Sequence, residues 1–322
     1  MNMKRPCAFL APDNRRRGTV LLLVLWALFF LALLSGAIAA YVRPALELSA
    51  RQARGARLRF AAESGVRQLV SDVITRVQPD APAYFLPGTL PVYSTGKTDI
   101  SLDYTLVDEE RKINLNYSSC EVLGTLFSLR LGDPLLAADL ADAIVFWREG
   151  GSCPRENRPR RAPCSGQADC YHKGSLFEFP QEINFVEGMT PAVFAGIKDV
   201  VTVYGSGAVN INTADQLVLR ALGINSALAE TIVRYRNGPD GQPASPDDNI
   251  FSDTADIAGK LFLYARLSDE ESDQLERLAA ARAVCVRSSV FTGHLLARDR
   301  KDDRTVDFVF TRDGQFKLWR EE

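Results

Sequence analysis

The chain has 322 residues, enough for one large or two modest domains beyond a membrane segment. Its 38 basic and 40 acidic side chains leave a formal net charge of −2, a poor balance for gripping a phosphate backbone. Only two histidines are present, His172 and His294, and neither sits in a nucleophile motif, so the sequence reads as no enzyme.

The first element is a short basic leader ending in Arg15-Arg16-Arg17-Gly18, followed by an uncharged, mostly apolar run from Thr19 to Val42. About 20 helical residues at ~1.5 Å rise cross a bilayer core, so this run is long enough to span. Lys4, Arg5, Arg15, Arg16 and Arg17 favour holding that end in the cytoplasm and delivering the rest to the far side. A cleaved secretory signal ending at Ala39, before Ala40, is the rival reading. Against it, the apolar run is long for a signal and a helical pattern continues beyond it. Leu46, Ala50, Ala53, Arg57, Phe60, Ala61, Ser64, Val66, Leu69, Val70, Val73 and Val77 recur at roughly helical spacing. Pro44 is expected to kink this helix rather than end it. A basic leader ending in Gly before such a helix resembles type IV pilin-like precursors, which implies cleavage after Gly18 and methylation of Thr19. The leader carries +4, five basic residues against Asp13, so the remaining chain is near −6.

Pro79, Pro82, Pro87, Gly88 and Pro91 predict a loop, and Asp99 to Val107 alternates as a strand. At the other end, Ala283 to Leu296 and Thr305 to Trp319 read as β, with a hairpin turn at Arg312-Asp313-Gly314-Gln315. The charged stretch from Arg298 to Arg304 predicts a solvated connection. Strands near both ends with helical sequence between them predict a small sheet interrupted by an insertion and packed on the long helix. The fold class expected is α+β, a pilin-like N-terminal helix on a small antiparallel sheet with a large, mainly helical domain inserted between strands. The boundaries read from the sequence are 1–18 for the leader, 19–42 for the membrane half of the helix, 43–107 for its outer half and first strand, 108–281 for the insertion and 282–322 for the closing strands.

The insertion contains an internal echo. Lys112-Ile113-Asn114-Leu115-Asn116-Tyr117-Ser118 opens one unit and Val209-Asn210-Ile211-Asn212-Thr213-Ala214 opens another. Each Asn-x-Asn precedes two helical patterns, Glu121 to Leu129 and Leu135 to Trp147 in the first, Asp215 to Leu222 and Ala227 to Arg236 in the second. Ser118 and Thr213 are the expected N-caps. A separation of about one hundred residues points to duplicated subdomains rather than a solenoid. Helix-hairpin-helix modules hold a DNA phosphate on a Gly-hydrophobic-Gly turn. Here the turns are Leu131-Gly132-Asp133-Pro134, where an acid and a proline remove the anion site, and Leu222-Gly223-Ile224-Asn225, where Asn replaces the second Gly. An exported helix-hairpin-helix DNA-binding protein is the alternative function, with nucleic acid disfavoured by the charge. A periplasmic enzyme released after Ala39 is a third reading.

With these features in place, the chain resembles the K-type minor pseudopilins of the type II secretion pathway. The most specific portions are Leu176-Phe-Glu-Phe-Pro-Gln-Glu-Ile, Val186-Glu187-Gly188-Met189-Thr190 and Gly207-Ala-Val-Asn-Ile-Asn-Thr-Ala214. The resemblance implies a single-pass inner-membrane protein with its bulk in the periplasm, processed by the prepilin peptidase. It implies assembly at the pseudopilus tip with I- and J-type minor pseudopilins on the inner-membrane secretion platform. Most pilins carry Glu as fifth mature residue, where it neutralises a neighbour's amino terminus. Counting from Thr19, that position is Leu23, a loss tolerable in the first subunit of a filament but costly in its shaft. Thr19 departs from the usual Phe or Met after the cut, and the leader is longer than a minimal one.

Once Cys7 leaves with the leader, Cys120, Cys153, Cys164, Cys170 and Cys285 remain. Disulfides among Cys153, Cys164 and Cys170 are expected in an oxidising periplasm. Zinc on these three and His172 is disfavoured, because intervals of ten, five and one residues lack a Cys-x-x-Cys pair. Asp240, Asp247, Asp248 and Asp253 lie in a Gly/Pro-rich loop whose oxygens could suit calcium, a cation the resemblance also implies, although no EF-hand pattern is present. Trp26 is expected to face lipid or a partner helix, and Trp147 the core.

Overall fold

The structure, a computed structural model, describes residues 16–75, 88–94, 99–151, 153, 172–243, 245 and 247–322. The chain divides into two units, Met1–Arg57 and Leu58–Glu322. Helix α1 (Arg16–Thr75) starts inside the basic cluster and runs through Pro44 without ending. In the first unit its Leu21, Leu23, Leu25, Trp26, Phe29 and Phe30 are all exposed. From Thr19 onward it is long and apolar enough to cross a membrane. A helix apolar all round suits hydrocarbon, because its backbone polar groups are satisfied internally.

In the second unit Leu58, Ala61, Ala62, Val66, Leu69, Val70 and Val73 bury one stripe of α1. That stripe packs on an antiparallel five-stranded sheet. Numbered along the chain, its strands are β1 (Gly88–Ser94), β2 (Asp99–Asp108), β7 (Val290–Arg298), β8 (Asp303–Thr311) and β9 (Phe316–Glu321), in spatial order β1-β2-β7-β8-β9. Residues two apart share a sheet face, so Ile100, Leu102 and Leu106 join Phe291, Leu295, Ala297, Val306, Phe308 and Phe310 in one core with the helix stripe. Phe60 does not join them and is 66% exposed. It follows Leu58 by two residues, roughly 200° round the helix, so the recurring set read from the sequence mixed two faces.

Two further differences have clear causes. The proline-rich loop ends in a strand: β1 contains Pro91, tolerated because β1 is an edge strand and its register shifts between Leu90 and Tyr93. Pro79, Pro82 and Pro87 lie outside the described residues, as do residues 1–15 and Val77. The charged connection is also tighter than expected. β7 extends to Arg298 and β8 begins at Asp303, with Asp299 accepting from the Lys301 and Asp302 amides at 2.7 and 2.8 Å.

The insertion leaves the sheet after β2 and returns at its neighbour β7. Along it run β3 (Ile113–Asn114), α2 (Cys120–Leu131), α3 (Pro134–Glu149), α4 (Pro191–Ile197), β4 (Val201–Thr202), β5 (Val209–Asn210), α5 (Gln216–Ala221), α6 (Ser226–Arg236), α7 (Ile257–Ala265), α8 (Asp269–Ala280) and β6 (Val284–Cys285). β3 pairs parallel with β4 and β5 parallel with β6, so the last pairing of the insertion lies beyond residue 281. Its helices enclose a second core containing Leu126, Phe127, Ile144, Leu219, Ile232 and Phe251. The N-caps fall later than expected. Ser119, not Ser118, accepts from the Val122 amide, because Ser118 closes a turn onto Asn114. Asp215, not Thr213, accepts from Val218, because the Thr213 hydroxyl is committed to Asp108.

Gly293 on β7 faces Phe308 on β8, and a Cβ there would sit 2.1 Å from the ring's Cζ. Gly293→Val should therefore displace Phe308 from the helix–sheet core and cost about 2–3 kcal/mol. Urea unfolding of the full chain in detergent checks this, and an unchanged midpoint would contradict it.

Candidate functional site

The two Asn-x-Asn elements are buried in the insertion, and they are built alike. In the first, Asn114 Oδ1 accepts from the Asn116 amide at 2.8 Å and its Nδ2 donates to the Tyr204 carbonyl at 2.7 Å. Asn116 then pairs with Phe177 like a peptide unit, its Oδ1 accepting from the Phe177 amide at 2.7 Å and its Nδ2 donating to the Phe177 and Val203 carbonyls at 3.0 and 3.2 Å. In the second, Asn210 Oδ1 accepts from the Asn212 amide at 3.0 Å. Asn212 pairs with Phe251 in the same way, at 2.9 Å in each direction, and also donates to the Val286 carbonyl at 3.0 Å. Each unit adds a buried arginine from its second helix. Arg148 donates to the Leu115 carbonyl at 2.7 Å, and Arg236 to the Ile211 and Ala214 carbonyls at 2.8 and 2.7 Å. Burial, with Arg111 nearby, pushes the Arg236 guanidinium down to about 10, against the pull of Asp215 and Asp248, so it stays charged at neutral pH. The sequence echo is thus a structural repeat at the level of single hydrogen bonds.

The helix-turn-helix turns are closed by their own side chains. Asp133 Oδ1 accepts from the Leu135 and Leu136 amides at 2.9 and 3.1 Å, at the start of α3. In the second turn Asn225 accepts from the Leu228 amide at 2.8 Å, and its Nδ2 donates to Glu271 of α8 at 3.2 Å. The capped amides at the start of α3 and α6 are those of Leu135, Leu136 and Leu228, and a carboxylate, Asp133 or Glu271, stands beside each turn.

Cys153 is disulfide-bonded to Cys120, not to Cys164 or Cys170, which lie outside the described residues. Proximity in sequence misled, because α2 and α3 fold back on each other and bring the start of α2 to the chain just after α3. The Cys153 amide donates to Asp142 at 2.7 Å, which seats the bridge. Cys285 keeps its thiol. A zinc ligand is removed from the Cys153/His172 set, and the His172 ring lies 5.4 Å from Phe146. The four loop acids are spent on the loop itself. Asp240 accepts from the Gln242 amide, Asp247 from the Asp240 amide and the Ser245 hydroxyl, Asp248 from the same hydroxyl, and Asp253 caps the short turn at Thr254. Among the described residues no three His, Cys, Asp or Glu side chains gather where one ion could be held.

At the other end of the chain, Gly18 and Thr19 lie in the first turns of α1, which hold no acidic residue. Leu23 is exposed on the same segment. His294 pairs across strands with Asp307 at 2.6 Å. Burial pushes the Asp307 carboxyl up, but hydrogen bonds from His294 and Arg320 hold it below the ordinary carboxylate range, which describes a surface pair. Trp147 is buried, stacked between Phe177 and Phe185 at 6.5 and 6.3 Å.

Sequence reading missed a cluster of three buried acids, Asp108, Glu109 and Glu110, where β2 gives way to the insertion. Asp108 accepts from Asn210 and Thr213, and Glu109 from Lys112 and Thr202. Three consecutive acids at the end of a strand were the available signal.

Two stability predictions follow from this geometry. Asn212→Ala strips partners from the Phe251 amide, the Phe251 carbonyl and the Val286 carbonyl, so it should cost roughly 3 kcal/mol or more in a urea titration; a loss below 1 kcal/mol would contradict the clamp. Cys120→Ala opens a loop of 33 residues and should cost roughly 2–4 kcal/mol in the same urea titration; a loss below 1 kcal/mol would contradict a stabilising bridge.

No protein-family model matches the chain, and no curated protein matches it in sequence. Its fold is similar to that of a chain in the crystal structure of the GspK-GspI-GspJ complex from the type 2 secretion system of enterotoxigenic Escherichia coli. The likeness has a TM-score of 0.60 at 14% identity and covers 85% of this chain and 99% of that one. It is a likeness of fold, and it covers too much of the chain to be confined to the helix and sheet. The α+β architecture with its insertion is the shared feature.

Proposed function

We propose that the chain is a K-type minor pseudopilin at the tip of a type II secretion pseudopilus. The observation that carries the reading is the combination of one membrane-length helix, an antiparallel sheet packed on its outer half, and a large insertion between neighbouring strands, the fold also found in a subunit complex of that pathway. In this proposal the prepilin peptidase cuts after Gly18 and methylates Thr19, α1 anchors the protein in the inner membrane, and residues beyond it stand in the periplasm. The partners are I- and J-type minor pseudopilins, assembled on the inner-membrane platform to begin the filament and support export across the outer membrane.

Three features support a position at the tip. Leu23 supplies no carboxylate for a neighbour's amino terminus, a deficit that matters least in a subunit with no predecessor. The bulk of the insertion is difficult to fit between layers of a shaft. Phe60, exposed on the side of α1 away from the sheet, gives a partner helix an apolar contact. The action proposed is assembly rather than catalysis. The self-capped turns and acidic balance leave the DNA-binding alternative without a supporting observation.

The mature amino terminus tests the proposal. Mass spectrometry of protein recovered from membranes should find an N-methylated Thr19, and a terminus at Ala40 would refute the reading. Gly18→Leu, which places a bulky side chain at the scissile bond, should leave the full precursor; normal processing of that variant would contradict it.

A further inference from the structure

The chain crosses itself where the sheet meets the insertion. An incoming linker (109–112) follows β2, a middle linker (203–208) joins the two Asn-x-Asn units, and an outgoing linker (286–289) leads from β6 into β7. All three meet at the buried acids, between the helix–sheet core and the core of the insertion. Glu110 touches the two later linkers at once. Its Oε1 accepts from the Ser206 amide and hydroxyl at 2.8 and 2.7 Å and from the Ser289 hydroxyl at 3.0 Å. Its Oε2 accepts from the Ser289 amide at 2.6 Å. The middle linker is pressed against this side chain. Gly205 has φ +90°, and a Cβ there would lie 2.8 Å from Glu110 Cγ.

We propose that Glu110 is the pin of a two-linker joint: its carboxylate holds the middle and outgoing linkers together, so the insertion keeps one seating on the sheet, and losing either grip releases both. The chemistry suits the role. A carboxylate offers two oxygens with about four acceptor sites, all facing outward from one rigid group, and it offers no donor that could repel an amide. Four charge-assisted hydrogen bonds on one buried group make both linkers share its position. Asp108 and Glu109 serve the neighbouring contacts, to Asn210, Thr213, Lys112 and Thr202. The inference concerns the insertion's mounting and does not rest on the pseudopilin reading.

Glu110→Gln separates a joint from two independent tethers. Glutamine retains one acceptor oxygen, so it can still serve one linker while presenting an N–H₂ to the other. Hydrogen exchange of the full chain in detergent, followed by mass spectrometry, reads segments 203–208 and 286–289 separately. The joint predicts that both segments exchange faster by about tenfold or more, the factor expected from losing one charge-assisted hydrogen bond, although one keeps its acceptor. Acceleration of one segment alone, or of neither, overturns the proposal. If Glu110→Gln fails to fold, Ser289→Ala removes only the hydroxyl contact. There the joint predicts faster exchange at 203–208, and an unchanged rate in that segment overturns it.

Discussion

A buried asparagine that pairs with a distant peptide at both its N–H and its C=O is the interaction on which the inserted domain depends. The insertion has few ladders of its own: β3, β4, β5 and β6 are two residues each. Segments around Phe177 and Phe251 therefore pass through the core without strand partners, and each unpaired buried N–H or C=O would cost roughly 1–3 kcal/mol. Asparagine is one side chain that reproduces a peptide's donor and acceptor at fixed spacing. Asn116 and Asn212 do so in both halves of the insertion, with Asn114 and Asn210 bracing the turn that positions them. Replacing them with apolar residues of similar size would fill the space and still leave the backbone unpaired.

From that requirement the rest of the arrangement follows. The two units place their short strands side by side with the linkers, and the linkers converge where β2 and β7 are neighbours in the sheet. Two apolar cores, each adequate to its own layer, are separated by a polar seam of carboxylates, serines and threonines. The helix–sheet layer has its own apolar core, while the insertion is carried as a mounted module with another. Such a construction lets an anchoring layer and an exposed module be varied separately, since neither core contributes side chains to the other.

Much of this was legible in the sequence, for physical reasons. The membrane segment is visible because a bilayer demands a long uncharged run, and the strands of β2 and β8 because one buried face forces alternation. The Asn-x-Asn repeat was readable as a pattern but not as a clamp, because the partners at Phe177 and Phe251 carry no distinguishing side chain; the contact is to their backbone. The Cys120–Cys153 bridge was missed because a helical hairpin makes residues far apart in sequence close in space. β1 was hidden by Pro91, a breaker that an edge strand accommodates. Helix α8 escaped notice although Ser268 and Glu271 form a capping box at its start, a signal that was present and unread. The buried acids drew no reading, since burial of a charge is invisible until its donors are in place.

The function proposed for this fold is assembly into a membrane-anchored filament tip. The most direct measurement is co-expression of the full chain with the I- and J-type pseudopilins of its own source, followed by membrane extraction and native mass determination. The account predicts a complex containing one copy of each. Recovery of the I- and J-type subunits bound to each other, with this chain eluting by itself, would contradict it.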